Sequence, residues 1–232
     1  MKARPLIRGL LKLVGGLLLL LVLWQGGIFA QVLWWSQVNP ASTRFMRIQL
    51  EALRAENPDA RLRHQWVDYE RISVHLKRAV VAAEDDRFLD HAGFDWTGIQ
   101  HALERNRRRG AATAGGSTIS QQLAKNLFLT PTRSYLRKAQ EAVITVMIET
   151  TWSKRRILEV YLNVAEWGAG VFGSEAAAQR FFGISADRLG PAEAANLAVR
   201  LPNPRRYEQH FGPAQRAHAA RVAARMGNSR IP

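Results

Sequence analysis

Glu84, Asp85 and Asp86 close a nearly continuous apolar run, Val74 to Ala83, that has helical character. Three carboxylates therefore stand at a helix C-terminus. The helix dipole disfavours each by about 0.3 kcal/mol or more, and apolar surroundings disfavour the ionised form further. A carboxylate held in such a place is a candidate general base, and Glu84, the first beyond the apolar run, is the candidate here. The structural alternative pairs Glu84 with Lys77 or Arg87 and uses Asp85 and Asp86 to open and cap the next turn.

The second chemical stretch is "GGSTISQQLAKNLFLT", residues 115–130. Ile119, Leu123 and Leu127 recur on one helical face, which predicts a buried stripe, while Ser117, Thr118, Gln121, Gln122 and Lys125 occupy the other. Thr118 with Gln121 fits a capping box. The Gly115-Gly116 pair permits a tight turn or a close approach of backbone to a ligand. Periodicity alone favours a capped surface helix over a ligand-binding face. Beyond Pro131, which ends this helix, Glu141 sits on the polar edge of another helix, whose predicted apolar arc is Leu136, Ala139, Val143, Val146 and Met147. An exposed pair between Arg137 and Glu141 is the default reading of that acid, worth a few tenths of a kcal/mol. Lys125, Arg133, Arg137 and Lys138 face one another across "LTPTR". Arginine grips phosphate through paired N–H groups and lysine supplies a point charge, so these cations suit a diphosphate.

The elements that must position these groups read as helices. Expected spans are Glu70 to Ala83, Asp95 to Arg108, Ser117 to Leu129, Ser134 to Trp152, Ser153 to Val164, Ser174 to Phe182 and Pro191 to Arg200. No strand-rich region is expected, and the fold class is mainly α. Ahead of them, no charged residue occurs from Leu13 to Thr43, and "LVGGLLLLLVLWQGGIFAQVLWW" exceeds the roughly 20 apolar residues of a bilayer-spanning helix. Lys2, Arg4, Arg8 and Lys12 precede it, which puts the N-terminus in the cytoplasm and the rest outside. A cleaved signal peptide is the rival, disfavoured by the length of the apolar run and by Ile28-Phe29-Ala30 at the place of a cleavage site. The expected organisation is a cytoplasmic N-terminus at 1–12, a transmembrane helix at 13–35, a connector at 36–65 with a helix near Phe45 to Ala55, and one domain at 66–232.

Composition narrows the chemistry. The 232 residues include no cysteine, which excludes a thiolate nucleophile or metal ligand, and six histidines without metal-ligand spacing. A formal net charge of +14 predicts an anionic partner. An outward-facing anchor argues against nucleic acid, so "RNRRR" at 105–109 reads as a solvated helix end or a contact to anionic headgroups.

Three stretches taken together, "EDDRFLDHAGFD" (84–95), "GGSTISQQLAKNLFL" (115–129) and residues 137–183, resemble the successive motifs of the family 51 glycosyltransferases, the peptidoglycan polymerases. The resemblance covers most of residues 66–207 in order. It implies a lysozyme-like helical domain that joins lipid II-type molecules, the acceptor 4-hydroxyl displacing undecaprenyl diphosphate with inversion to a β-1,4 link. By position, Glu84 takes the general-base role and Glu141 that of the second motif acid, positioning donor sugar or diphosphate. Lys125, Arg133, Arg137 and Lys138 take the diphosphate. Ser117, Gln121, Gln122 and Asn126 match donor-site contacts, and His91, Gly93, Glu159, Tyr161 and Asn163 match positions read as structural. No tightly bound cofactor is implied; the family chemistry admits a Mg or Mn ion bridging the substrate diphosphate. The implied partners are lipid II, the growing glycan strand, the membrane and other wall-building proteins. The implied location is the bacterial cytoplasmic (inner) membrane, with the catalytic domain on the periplasmic side. No Ser-x-x-Lys motif occurs, so no transpeptidase activity is expected. A lytic, lysozyme-like enzyme and a non-catalytic membrane-tethered binder of anionic polymers are the two rival readings.

Overall fold

The computed structural model describes residues 3–110, 116–132 and 134–232. Two compact units divide it, one ending at Asn39 and the other beginning at Pro40. The first is a helix, α1 (Ala3–Gln37). Within it Arg8–Gln37 spans 30 residues at a mean hydropathy of 2.1, long and apolar enough to cross a membrane. The expected span, 13–35, lies inside it.

The second unit begins with α2 (Arg44–Glu56), whose first turn is capped by Thr43: its Oγ1 accepts from the Met46 amide at 3.1 Å. The stretch expected as a connector thus supplies α2 and a two-residue strand, β1 (Arg63–His64), to this unit. A single 3₁₀ turn, Tyr69–Arg71, precedes α3 (Val74–Glu84). The helix expected from Glu70 is therefore divided at Ser73, whose hydroxyl caps the new start through the His75 amide. Then come α4 (Trp96–Arg109), α5 (Ile119–Phe128), α6 (Tyr135–Thr151) and α7 (Lys154–Val164). Asp95, Thr118, Ser134 and Ser153 each cap one of them, and this is why their starts were readable. β2 (Glu166–Gly168) and β3 (Val171–Phe172) follow, and the sheet order is β1-β3-β2, with β1 parallel and β2 antiparallel to β3. The chain finishes with α8 (Ser174–Phe182), α9 (Pro191–Ala198), α10 (Pro204–Gln209) and α11 (Pro213–Arg225).

Two packing groups position the site. α3 buries Leu76, Ala79, Val80 and Val81 against α9 and α11. α5 buries Ile119, Leu123 and Leu127 against α6 and α7, with α2 on its flank. Burial of each such Leu or Ile is worth about 1.5–3 kcal/mol. The expected stripe on α5 is confirmed, and so is its capping box.

α6 corrects its expectation. Leu136 is 85% exposed, and Ala139, Val143 and Val146 are exposed as well, so the predicted apolar arc faces outward. The buried stripe is Glu141, Ile144, Thr145 and Ile148. It keeps helical spacing, but its first position holds an acid neutralised by two cations in place of an apolar side chain.

Candidate active site

The three acids at the end of α3 have different partners. Asp85 is buried; its Oδ2 accepts from the Ile119 amide at 3.0 Å and its Oδ1 lies 2.8 Å from His91 Nε2. His91 Nδ1 accepts from the Gly93 amide at 3.1 Å, so Nε2 carries the proton and donates to Asp85. A carboxylate unfavourable at the C-terminus of α3 is thus favourable at the N-terminus of α5, where free amides and the positive dipole end await it. Asp86 accepts from the Ser229 hydroxyl at 2.7 Å. The capping role foreseen as the structural alternative falls to Asp85, on α5.

Glu84 is left without a cationic hydrogen-bond partner. Lys77 donates to the Tyr69 carbonyl at 2.9 Å and Arg87 to Asp95 at 3.3 Å, so neither expected ion pair forms. Glu84 Oε2 accepts instead from Gln122 Nε2 at 2.7 Å, and Gln122 Oε1 accepts from the Tyr161 hydroxyl at 2.9 Å. Burial pushes the Glu84 carboxyl above the ordinary value. The Gln122 hydrogen bond and the charge of Lys125 oppose that rise, and Asp85 adds to it. Burial also pushes the Tyr161 hydroxyl well up, which keeps it a donor. The result is a half-buried chain, Tyr161 to Gln122 to Glu84, ending on a carboxylate of raised proton affinity.

Around it lies a cavity of 610 Å³. Its wall carries Glu84, Ser117, Gln121, Gln122, Lys125, Arg137, Lys138 and Glu141 together. Asn126 lines an adjoining cavity, and Arg133 lies outside the described residues, as does Gly115. Glu141 is buried, where an exposed pair was the default. It accepts from Arg137 at 2.6 Å and from Lys138, whose Nζ also reaches Ser117 Oγ at 3.1 Å. One buried acid therefore fixes two cations in the wall. Lys125 Nζ makes no hydrogen bond among the described residues and stands 5.9 Å from the centre of the Phe45 ring. Burial lowers its pKa, Glu141 and Glu84 opposing and Arg137 and Lys138 adding. A desolvated ammonium without an acceptor is primed for an incoming anion.

Three of the four expected donor contacts are engaged within the protein, Ser117 with Lys138 as above. Gln121 Oε1 accepts from the Thr118 amide in the capping box, at 3.1 Å, and Gln122 is held as above. Thr118 Oγ1 donates to the Gly93 carbonyl at 2.7 Å. Gly93 itself has a positive φ, and a Cβ there would lie 2.7 Å from Thr145 Cγ2, so glycine is required. His91 and Gly93 accordingly hold the loop between α3 and α4, as expected of structural positions.

Glu84 also borders a second cavity of 230 Å³, lined by Asp85, Asp86, Asp95, Ser117, Thr118 and Arg225 among others. Sequence reasoning missed Arg225, which donates to the Ala82 carbonyl, and missed Phe45, Leu201 and Pro202 in the larger cavity. No local signal marks them, because each is brought in by tertiary packing. Among the described residues no three His, Asp or Glu side chains are grouped to hold a metal.

Comparison with known proteins adds a lineage to this geometry. A family model described as Transglycosylase matches residues 51–227. The biosynthetic peptidoglycan transglycosylase of Azoarcus sp. (strain BH72) is 70% identical over 92% of this chain and 92% of its own. That of Aromatoleum aromaticum is 65% identical over 97% of this chain and 98% of its own. A third, from Thiobacillus denitrificans, is 56% identical over 99% of both.

Proposed function

The chain belongs to the transglycosylase family and is a peptidoglycan glycosyltransferase, and we propose that it polymerises glycan strands from lipid II by inverting transfer. In this reading Glu84 accepts the proton of the acceptor 4-hydroxyl as that oxygen attacks the donor anomeric carbon. The bond from that carbon to the diphosphate oxygen breaks, its electron pair leaves with undecaprenyl diphosphate, and a β-1,4 link forms. Lys125, Arg133, Arg137 and Lys138 take up the negative charge. Glu141 orients Arg137 and Lys138 toward it. Ser117, Gln121, Gln122 and Asn126 face the donor, with Gln122 and Tyr161 also fixing the rotamer of Glu84.

The observation that carries this reading is one cavity wall holding both a proton-avid carboxylate, Glu84, and an unpaired ammonium, Lys125. The acid-lined cavity on the other side of Glu84 suits an incoming hydroxyl, which needs no cation. Glycan cleavage needs no diphosphate-sized cluster of cations, so three of them on the wall favour synthesis over the lytic alternative. Tyr135 and Leu136, 97% and 85% exposed beside Arg137 and Lys138, suit a lipid-borne substrate.

The helix at Arg8–Gln37 suits a single-pass anchor in the bacterial inner membrane, with the catalytic unit on the periplasmic side. A Mg or Mn ion, where the reaction uses one, would be held chiefly by the substrate diphosphate, since among the described residues no three His, Asp or Glu side chains are grouped to hold it. Other wall-building proteins are the partners expected at that surface. The test gives the full chain lipid II in one arm and isolated glycan in the other. Polymer from lipid II is expected, and fragments from glycan without polymer would overturn the reading.

A further inference from the structure

Tyr161 stands at a position read from the sequence as structural, yet it is bonded to the base through one intermediary. It lies on α7 and is 1% exposed. Its hydroxyl donates to Gln122 Oε1 at 2.9 Å, and Gln122 Nε2 donates to Glu84 Oε2 at 2.7 Å. The packing of α5 on α7 is what brings the hydroxyl to the amide, and α5 in turn carries the amide to the end of α3.

The direction of this chain has a chemical cause. A glutamine amide has a donor end and an acceptor end of nearly the same shape, so a half-turn about its last bond exchanges what it offers Glu84. With Nε2 toward Glu84 it favours the carboxylate; with Oε1 there it would repel the carboxylate and accept from the neutral acid. Tyr161 decides between the two. Burial pushes its hydroxyl well up, so the hydroxyl keeps its proton, and a buried O–H needs an acceptor. Gln122 Oε1 is that acceptor. The opposite orientation would set the amide N–H against the hydroxyl and take the acceptor away. Asp85, Asp86, Asp95 and Arg225 line the cavity on one side of Glu84, and Lys125, Arg137, Lys138 and Glu141 line that on the other. Those groups act on Glu84 through charge, whereas the neutral amide acts through its orientation, which Tyr161 holds.

We propose that Tyr161 is a positioning residue for the base: its hydroxyl locks the Gln122 amide with the N–H toward Glu84, and so holds Glu84 in the ionised form that can accept a proton. The role of Glu84 as base rests on the polymerase reading above; the lock itself does not. Tyr161 acts through Gln122 and touches no reacting atom.

The test follows the Glu84 carboxyl itself, by carbon NMR of the full chain in detergent with its glutamate carboxyls labelled, the resonance being assigned by its absence from Glu84→Gln. Tyr161→Phe deletes a hydroxyl and no charge. It should raise the pH at which that carboxyl titrates by about half a unit to one unit, the scale of one hydrogen bond redistributed between the two protonation states. The acid limb of kcat/KM for lipid II should move upward with it. Gln122→Met should raise the titration at least as far, and adding Tyr161→Phe to it should move nothing more, since the hydroxyl acts through the amide. A tyrosine that merely packs would leave the titration in place or add the same shift in both backgrounds. Circular dichroism establishes that each variant is folded, and the Gln122→Met result stands apart from the fate of the tyrosine variant. An unmoved titration in folded Tyr161→Phe or in folded Gln122→Met, or a further shift in the double variant, would overturn the lock. The titration needs no substrate, so a wild type that titrates as stated but makes no polymer from lipid II would support the lock and refute the polymerase reading instead.

Discussion

Replacing Glu84 with glutamine isolates the proton transfer. The amide has the shape of the carboxylate and still accepts the 2.7 Å hydrogen bond from Gln122, which Tyr161 holds in place from its other end. What disappears is basicity. General-base catalysis contributes about 10²–10⁴ in rate, equal to roughly 3–5 kcal/mol of barrier, and the burial that raises the pKa of Glu84 places it toward the upper end. Polymer formation from labelled lipid II, followed by gel electrophoresis, should fall by about a thousandfold or more while lipid II binding persists. Stability should move the other way. A carboxyl with a raised folded pKa stabilises the fold only in its protonated form, so its contribution is lost as pH rises through that pKa. Glu84→Gln should therefore melt no lower than the wild type above neutral pH, with the difference shrinking as pH falls toward the ordinary carboxylate range. Polymerisation within tenfold of wild type, by a folded variant, would refute the assignment of Glu84 as base.

The same shifts predict the pH dependence of kcat/KM: the acid limb lies above the ordinary carboxylate value, because Glu84 must be ionised, and the alkaline limb below the ordinary lysine value, because Lys125 must be protonated. Lys125→Arg should carry the alkaline limb upward, since guanidinium stays charged, and an unmoved limb would exclude Lys125 as its source. Lys125→Ala should cost about 10²–10³ in kcat, the scale of losing one donor to a developing charge; an effect confined to solubility would misplace the cradle. Arg137→Met strips the buried Glu141 of one of its two partners and should cost about 3 kcal/mol in urea unfolding, whereas a loss below about 0.5 kcal/mol would return the pair to the exposed class. Gly93→Ala should lower the melting temperature by several degrees, on the order of 2 kcal/mol, because φ is positive and Thr145 occupies the space of the new methyl; unchanged melting would contradict the steric argument.

How much of this was legible in the sequence depended on whether the signal was local. α4 to α9 were readable because caps and stripes lie within a few residues of the ends they define, as with Thr118 and Gln121 at α5. α10 and α11 were missed: the first has six residues and buries none of them, and the second buries only Ala219 and Val222. α6 was legible as a helix but not in its orientation, because an acid neutralised by Arg137 and Lys138 sits where pattern reading expects an apolar residue. Glu84 stood out through a broken local rule. Its partners did not, because Gln122 lies 38 positions and Tyr161 a further 39 along the chain. Phe45 could not be read at all as part of a site, since a helix ahead of the catalytic motifs carries no sign of which cavity it will wall.

The stereochemistry of the new linkage tests the central claim most directly. If Glu84 removes a proton while the diphosphate departs in one displacement, NMR of the polymer made from lipid II will show only β-1,4 links, the inverse of the donor configuration, with one undecaprenyl diphosphate released per new linkage formed. Retention of the donor configuration, or a glycosyl group trapped covalently on Glu84, would contradict it.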